Sequence, residues 1–179
     1  ALAKAGNVDV AAVGNEVLYR NDLSLEELLG YIKRVKEALA GLDIPVGYVD
    51  AYYEFSRHPE LVEHSDVVLA NLYPYWEGCP IEYALGHMQA MYGQVVDAAQ
   101  GKPIIITETG WPSEGGGLKG ALAGPEAAMK YFIDTIRWTN ENKIPIFYFS
   151  SFDESWKTGD EGDVGAYWGL WDKNENLKF

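Results

Sequence analysis

Short apolar runs recur along the chain, and proline, glycine or polar residues bound each of them. The clearest run, residues 104–106, is three isoleucines that follow Pro103. A β-branched run without polar alternation is typical of a strand buried on both faces. Comparable runs occupy residues 10–13, 46–49, 67–70 and 145–150. The pattern therefore predicts five strands.

Helical periodicity fills the intervals between these runs. Ser24, followed three residues later by Glu27, predicts a capping box at the start of a helix that ends near Gly41. Further helices are predicted over residues 59–64, 81–99 and 125–142. The glycine-rich segment from 115 to 124 is predicted to be a loop.

Strands and helices alternate at a spacing of roughly 30 to 40 residues, which predicts an α/β fold with a parallel sheet. The chain has 179 residues, enough for one domain with a hydrophobic core. We therefore expect a single domain over residues 1–179.

The chain is strongly acidic, with 27 Asp and Glu against 14 Lys and Arg and a net charge of −13. Because phosphate binding needs clustered Lys and Arg, no nucleic-acid partner is expected, and no contact with an anionic membrane. A neutral polysaccharide is compatible with this charge.

The single cysteine, Cys79, leaves the fold without an internal disulfide. The sequence contains no apolar run of about 18 residues and its start lacks a signal-peptide pattern, although a removed signal or an upstream region stays open.

Two glutamates stand where predicted strands end. Glu108 follows the isoleucine run and precedes Gly110, and Glu16 follows the first strand directly after Asn15. A retaining glycosidase needs a proton donor and a nucleophile about 5 to 5.5 Å apart on one sugar. The two strand ends therefore favour glycoside chemistry over the alternative that both are ordinary capping or surface carboxylates.

Three motifs resemble glycoside hydrolase family 17: VGNEV at 13–17, ITETGWPS at 106–113 and WGLWD at 168–172. That family contains β-1,3-glucanases and β-1,3-glucan transglycosylases built on a (β/α)8 TIM barrel, with catalytic glutamates that end strands 4 and 7. The resemblance implies that this chain covers roughly strands 4 to 8, an incomplete barrel, since a whole one takes about 250 residues. Strands 1 to 3, the N-terminal half, then lie upstream or on another chain.

The resemblance also implies catalytic roles. Glu108 is expected to be the nucleophile and Glu16 the acid/base. Asn15 matches the family position whose amide holds the sugar 2-hydroxyl, with a turn-forming role as the alternative. Tyr73 matches the position whose phenol hydrogen-bonds the nucleophile, with packing as the alternative.

Five aromatic residues are further candidates for substrate binding. Trp111 and Trp168 are either stacking surfaces for sugar or core residues at the end of the barrel. Tyr75, Trp76 and Trp156 are candidates for hydrophobic acceptor subsites, which would favour transfer to a sugar over hydrolysis.

Glu154 and Lys157 match a Glu and a Lys near the sugar site of the family's plant glucanases, with a solvated charge run as the alternative. The chain departs from those enzymes at Gly165, where they carry a further Glu, and Asp163 is the nearby candidate to replace it. The EGDVGAYWGLW form at 161–171 resembles bacterial members, in which glucan transfer is common.

These observations predict an endo-β-1,3-glucanase or β-1,3-glucanosyltransferase that works through a covalent glycosyl-enzyme intermediate, without metal or cofactor. Its expected partner is a β-glucan polysaccharide or oligosaccharide. The alternative is a non-catalytic β-glucan-binding half-barrel fragment. The resemblance alone implies a periplasmic or extracellular location. The three histidines lack the spacing of metal ligands.

Overall fold

The computed structural model describes residues 2–157, 159 and 161–179. It divides into two compact units, which we describe separately. The first combines Ala1–Asn71 with Met91–Thr107, and the second combines Leu72–Ala90 with Glu108–Phe179.

A four-stranded sheet organises the first unit. Its strands are β1 (Ala11–Asn15), β2 (Val46–Ala51), β3 (Val67–Asn71) and β4 (Ile104–Glu108), in the order β1-β2-β3-β4. The β1–β2 and β2–β3 pairs are both parallel. The predicted α/β fold with a parallel sheet is therefore confirmed.

The central strands of this sheet supply the core of the first unit. All five residues of β3 are buried, as are the first five of β2. Val49, Val67 and Leu69 form a cluster onto which Val10 and Ile105 pack. In β1, by contrast, exposed residues alternate with half-buried ones. This difference follows from the position of β1 at the edge of the sheet.

Three helices belong to the first unit: α1 (Leu25–Ala38), α2 (Glu54–Arg57) and α3 (Pro59–His64). The predicted capping box is present, since the Glu27 N–H donates to Ser24 Oγ and the Ser24 N–H donates to the Glu27 carboxylate. Helix α1 ends three residues before Gly41, so its predicted end was late.

Helix α4 (Ala84–Ala98) begins in the second unit, and α5 (Pro125–Asn142) lies wholly within it. A buried cluster joins the two helices inside this unit. The thioether sulfur of Met88 accepts hydrogen bonds from the hydroxyls of Tyr131 at 3.1 Å and Thr109 at 3.7 Å. Across the described residues, no helix is long and apolar enough to cross a membrane.

Two sequence expectations were wrong in the second unit. Within the described residues 145–150 there is no fifth strand, only a bridge at Ile146. Here Phe149 donates its N–H to the carbonyl of Thr109 at 2.8 Å, just beyond β4, instead of extending a ladder. The predicted loop at 115–124 contains a short antiparallel hairpin, β5 (Gly117–Leu118) with β6 (Ala121–Leu122).

Candidate active site

Glu16 lies at the point where β1 ends and the chain turns. Its N–H donates to the carbonyl of Val49 at 2.9 Å, while its own backbone adopts the left-handed conformation with φ 55°. Residues with a Cβ rarely adopt this conformation. The strand thus delivers the carboxylate, 21 % exposed, on a turn that needs support from its neighbours.

Asn71, the last residue of β3, connects the two functional candidates at the end of β1. Its side-chain amide donates to Oδ1 of Asn15 at 3.2 Å and to Oε1 of Glu16 at 3.0 Å. Its own Oδ1 accepts from the hydroxyl of Thr107 at 2.7 Å. Asn71 is only 3 % exposed, so the amide is a fixed donor.

Arg20 holds the other oxygen of Glu16. Its guanidinium lies 3.3 Å from Oε2 of Glu16 and also donates to the carbonyl of Asn15. The N–H of Arg20 donates to the Glu16 carbonyl at 2.9 Å, so the same residue closes the turn through its backbone. Both carboxylate oxygens of Glu16 therefore have a partner within the first unit.

A fully buried carboxylate, Asp50, lies behind this turn. It accepts hydrogen bonds from the N–H groups of Leu18 and Tyr19, each at 3.3 Å, and from the hydroxyl of Tyr48. Burial raises the pKa of Asp50 above its ordinary value, although the hydrogen bonds from Tyr48, Ala51 and Tyr19 act in the opposite direction. Burial also raises the pKa of Tyr48.

A cleft of about 570 Å³ opens beside the same turn, a volume typical of ligand sites. Tyr19 and Tyr53 give it aromatic walls, and Glu54 and Arg57, paired at 2.9 Å, give it charge. Its remaining lining residues are Leu18, Asn21, Leu23, Ser24, Leu25 and His58.

Glu108, the second predicted carboxylate, is the last residue of β4 and is half-buried. The phenol of Tyr73 donates to its Oε2 at 2.9 Å, so the hydrogen bond expected for Tyr73 is present in the second unit. The N–H of Leu72 donates to the Glu108 carbonyl at 2.9 Å, which fixes the backbone that carries the carboxylate.

An aromatic cluster supports Tyr73. The ring of Trp168 stands edge-on to it at 5.4 Å, and Tyr75 connects Trp168 to Trp111 at 5.6 and 5.2 Å between ring centroids. Trp111 and Tyr75 are each 1 % exposed and Trp168 is 3 % exposed. Stacking on sugar needs an exposed ring face, so this burial favours the core alternative for Trp111 and Trp168 and disfavours Tyr75 as an acceptor-subsite residue.

Two tryptophans of the second unit do present surface. Trp76 is 39 % exposed and packs at 5.4 Å against Trp168, and Trp156 is 73 % exposed. Close to Trp156 in sequence, Lys157 pairs with Glu154 at 2.7 Å and lies 4.3 Å above the ring of Phe149. The predicted Glu and Lys are thus brought together.

The carboxylate proposed to replace the missing family glutamate is engaged elsewhere. Asp163 accepts the N–H of Gly116 at 2.9 Å, and Tyr75 donates its hydroxyl to the carbonyl of the same glycine at 2.7 Å. Asp163 therefore holds the segment before the β5–β6 hairpin. This contact disfavours Asp163 as a direct sugar ligand.

Sequence reasoning missed Arg20 and Asn71, which contact Asn15 and Glu16 directly. It also missed the residues behind them: Thr107, which donates to Asn71, and Tyr48 and Asp50, which bond to the turn after Glu16. For Asn71 the signal was available, because it ends an apolar strand as Glu108 does, while Glu16 directly follows one. Each unit therefore contains one glutamate, Glu16 or Glu108, whose carboxyl group accepts a hydrogen bond from a neighbouring side chain. Such carboxyl groups can serve as an acid, a base or a nucleophile.

Among the described residues, no group of three His, Cys, Asp or Glu is placed to hold a metal ion.

Comparison with known families gives one match that covers most of the chain. Residues 1–169 match the BtgE/BtgC glycoside hydrolase domain. The chain is 31 % identical to a glucan 1,3-beta-glucosidase of Schizosaccharomyces pombe, over 97 % of this chain and 57 % of that protein. It is 32 % identical to a probable glucan endo-1,3-beta-glucosidase, btgC, of Aspergillus fumigatus, over 94 % of this chain and 28 % of that protein. The chain thus spans less than two thirds of these relatives.

Solved structures give the same picture. An active-site mutant of the Rhizomucor miehei beta-1,3-glucanosyltransferase, in complex with laminaritriose, superposes with a TM-score of 0.88 at 40 % identity. The match covers 96 % of this chain and 62 % of that one. A plant beta-glucan endohydrolase superposes with a TM-score of 0.67 at 23 % identity, which shows likeness of fold alone. The relatives named here at 30 % identity or more are fungal, so the likeness to bacterial members stays a prediction.

Proposed function

The chain belongs to glycoside hydrolase family 17, through its BtgE/BtgC domain, and from this premise we propose that it acts on β-1,3-glucan by a retaining mechanism. The relatives are named as glucan 1,3-beta-glucosidases and as a beta-1,3-glucanosyltransferase that binds laminaritriose. A linear β-1,3-linked glucose oligomer is therefore the substrate class proposed here.

Glu108 is the proposed nucleophile. Its carboxylate attacks the anomeric carbon, the glycosidic bond breaks, and a glycosyl-enzyme ester forms. The observation that carries this assignment is the hydrogen bond from Tyr73 to Oε2 of Glu108 at 2.9 Å. A phenol donor favours the ionised carboxylate and fixes its orientation, which are both needed for attack.

Glu16 is the proposed acid/base. It gives a proton to the departing glycosidic oxygen, and it later takes a proton from the water or sugar that attacks the ester. The hydrogen bond from Asn71 and the ion pair with Arg20 support this role, because both orient the carboxyl group. A retaining mechanism needs an acid/base and a nucleophile whose carboxyl groups are about 5 to 5.5 Å apart. Asn15 is the proposed ligand of the sugar 2-hydroxyl.

We place the chain on strands 4 to 8 of a (β/α)8 barrel, with β1 to β4 as strands 4 to 7 and residues 145–150, which form only a bridge at Ile146, at the position of strand 8. It is then a single catalytic domain whose N-terminal half lies upstream or on another chain. The length of the match supports this placement, since it covers 62 % of the Rhizomucor enzyme. A periplasmic or extracellular location is part of the same proposal.

The remaining binding candidates divide by exposure. Trp156 and Trp76 present ring surface for an acceptor sugar, and the Glu154–Lys157 pair presents polar groups. The buried rings of Tyr75, Trp111 and Trp168 contribute by supporting Tyr73, as their burial indicates. An acceptor sugar that binds the exposed rings would compete with water for the ester, which favours transfer.

A trapping experiment tests the mechanism. A 2-deoxy-2-fluoro β-laminaribiosyl fluoride should form a stable ester with Glu108, found by peptide mass spectrometry. Glu108→Gln should abolish labelling, and Glu114→Gln, which changes an exposed glutamate in the following loop, should leave it intact. Labelling at another residue would contradict the assignment.

Product analysis then separates the two reactions. With laminari-oligosaccharides, longer products without new reducing ends indicate transfer, and shorter products with new reducing ends indicate hydrolysis. Binding without turnover or labelling would support the non-catalytic, glucan-binding alternative.

A further inference from the structure

Asp50 carries a carboxyl group that the proposed chemistry does not use, and it has no exposed surface. It stands near the end of β2, and its Oδ2 is the focus of three donors: the N–H groups of Leu18 and Tyr19 and the hydroxyl of Tyr48. The Tyr48 hydroxyl also accepts from the Leu18 N–H at 2.9 Å. Burial of a carboxylate is unfavourable unless such hydrogen bonds compensate it.

Two of the three donors, the N–H groups of Leu18 and Tyr19, come from the turn that carries Glu16. After the left-handed residue Glu16, the chain bonds back on itself from Arg20 N to Glu16 O at 2.9 Å and from Asp22 N to Val17 O at 2.9 Å. The N–H groups at the start of such a turn have no partner along the chain, as at the start of a helix. Asp50 supplies that partner for two of them, the N–H groups of Leu18 and Tyr19.

We propose that Asp50, with Tyr48, is a positioning residue that holds Glu16 in its left-handed conformation and so aims the acid/base carboxyl. The inference rests on the function proposed for Glu16. It assigns Asp50 no contact with substrate: Asp50 fixes the backbone, and Asn71 and Arg20 fix the side chain. If the hydrogen bonds to Asp50 are lost, Glu16 can relax toward ordinary backbone conformations. Its carboxyl group then leaves the position needed for proton transfer.

Dependence on the leaving group distinguishes this role from general support of the fold. A sugar leaving group needs a proton from the acid, whereas a 2,4-dinitrophenolate leaves without one. Formation of the glycosyl-enzyme governs kcat/KM for both, so only the first substrate reports a misplaced acid. A residue that merely stabilises the fold would affect both substrates equally.

The experiment compares wild type, Asp50→Asn and Asp66→Asn on laminaritetraose and on 2,4-dinitrophenyl β-laminaribioside. Asp66 is the matched control, because it too accepts a backbone N–H, from Val46 at 3.0 Å, but it precedes β3, and its partners Val46 and Lys36 lie outside the Glu16 turn. For Asp50→Asn we expect kcat/KM on the oligosaccharide to fall about 10- to 100-fold. On the dinitrophenyl substrate it should fall less than about threefold. Asp66→Asn should match wild type on both substrates.

Tyr48→Phe is the second variant, since it removes one donor to Asp50 and one acceptor for Leu18 while keeping the ring. It should show the same selective loss, to a smaller degree. An equal fall on both substrates, or no fall on either, in Asp50→Asn overturns the inference.

Amide hydrogen exchange tests the hydrogen bonds from Leu18 and Tyr19 to Asp50 without relying on activity. In Asp50→Asn the amides of Leu18 and Tyr19 should exchange faster, while those in the centre of β3 keep their protection. Unchanged exchange at both amides overturns the inference. Inactivity of wild type on both substrates would instead overturn the proposed function, and the exchange result would still decide whether Asp50 holds the turn.

Discussion

Tyr73 donates its phenolic hydrogen to Oε2 of Glu108 across 2.9 Å, and the edge of that same tyrosine ring is fixed by Trp168 at 5.4 Å. The orientation of the carboxylate thus depends on a phenol that a buried indole holds in place. Both residues come from segments distant in sequence from Glu108, so the strand end is set by the packing of the second unit.

Tyr73→Phe should lower kcat by about 10- to 100-fold, because a hydrogen bond to a charged group contributes about 1.5–3 kcal/mol. Initial rates on laminari-oligosaccharides measure this. Tyr83→Phe, which alters a tyrosine that is 70 % exposed, is the control and should behave as wild type. Full activity of Tyr73→Phe would mean that the phenol is not needed to orient Glu108.

Asn71→Ala should lower kcat by about 100-fold, because it removes the amide that orients both Asn15 and Glu16. Ser65→Ala is a suitable control, because Ser65 lies just before the opposite end of β3 and is also buried. Its hydroxyl has no hydrogen-bond partner among the described residues. If the two variants lose activity equally, the loss reflects packing of β3 instead of orientation of Glu16.

Lys178→Met should lower the free energy of unfolding by about 3–5 kcal/mol, since it leaves the Asp153 carboxylate buried without its cation. The pair is 2.7 Å apart with side chains 12 % and 10 % exposed, and Lys178 also donates to Ser113 Oγ at 2.6 Å. Urea unfolding measures the change. Lys33→Met removes a pair at 4.0 Å from a side chain that is 73 % exposed and should cost less than about 0.5 kcal/mol.

The Asp66 carboxyl gives the chain an acid-sensitive contribution to stability. Desolvation acts to raise its pKa, but the hydrogen bonds from Lys36 and the Val46 N–H outweigh it, so the pKa lies below its ordinary value. A lowered folded-state pKa means that the stabilisation is complete above the unfolded value of about 3.9 and is lost as the pH falls through the folded value.

Asp66→Asn should therefore be less stable than wild type by about 0.5–1 kcal/mol near pH 7, a small effect because the pair is partly exposed. The difference should shrink below about pH 4. Urea midpoints from pH 2.5 to 8 measure it, and a difference that stays constant across this range would contradict the assignment.

The sequence predicted the strand ends well where an apolar run stops at a charged residue. Glu16 and Glu108 both stand one residue beyond or at the end of a strand, as their runs indicated. The same signal marks Asn71 at the end of β3. From the sequence alone, however, an asparagine there indicates only that the strand ends, because its partners are distant in sequence. Helices α3 and α5 matched their predicted ranges, since Pro59 and Pro125 mark their starts.

Other features depend on contacts that no local pattern encodes. Residues 145–150 have the composition of a strand, but backbone pairing with a neighbour, not composition, makes a ladder. In the sequence, Asp50 indicates the end of the apolar run of β2. Its burial within the strand is explained only by the N–H groups of Leu18 and Tyr19, which are distant in sequence. The burial of Trp111 likewise follows from its indole N–H, which donates to the Leu122 carbonyl at 2.9 Å in the hairpin.

The left-handed backbone at Glu16 implies a trade-off between stability and activity at this residue. A side chain with a Cβ in this conformation costs roughly 1–2 kcal/mol, which glycine would not. Replacing Glu16 by glycine should therefore raise the melting temperature above that of the alanine variant while both lack turnover. The glutamate on which the proposed chemistry depends would then make the fold less stable than glycine at the same position would.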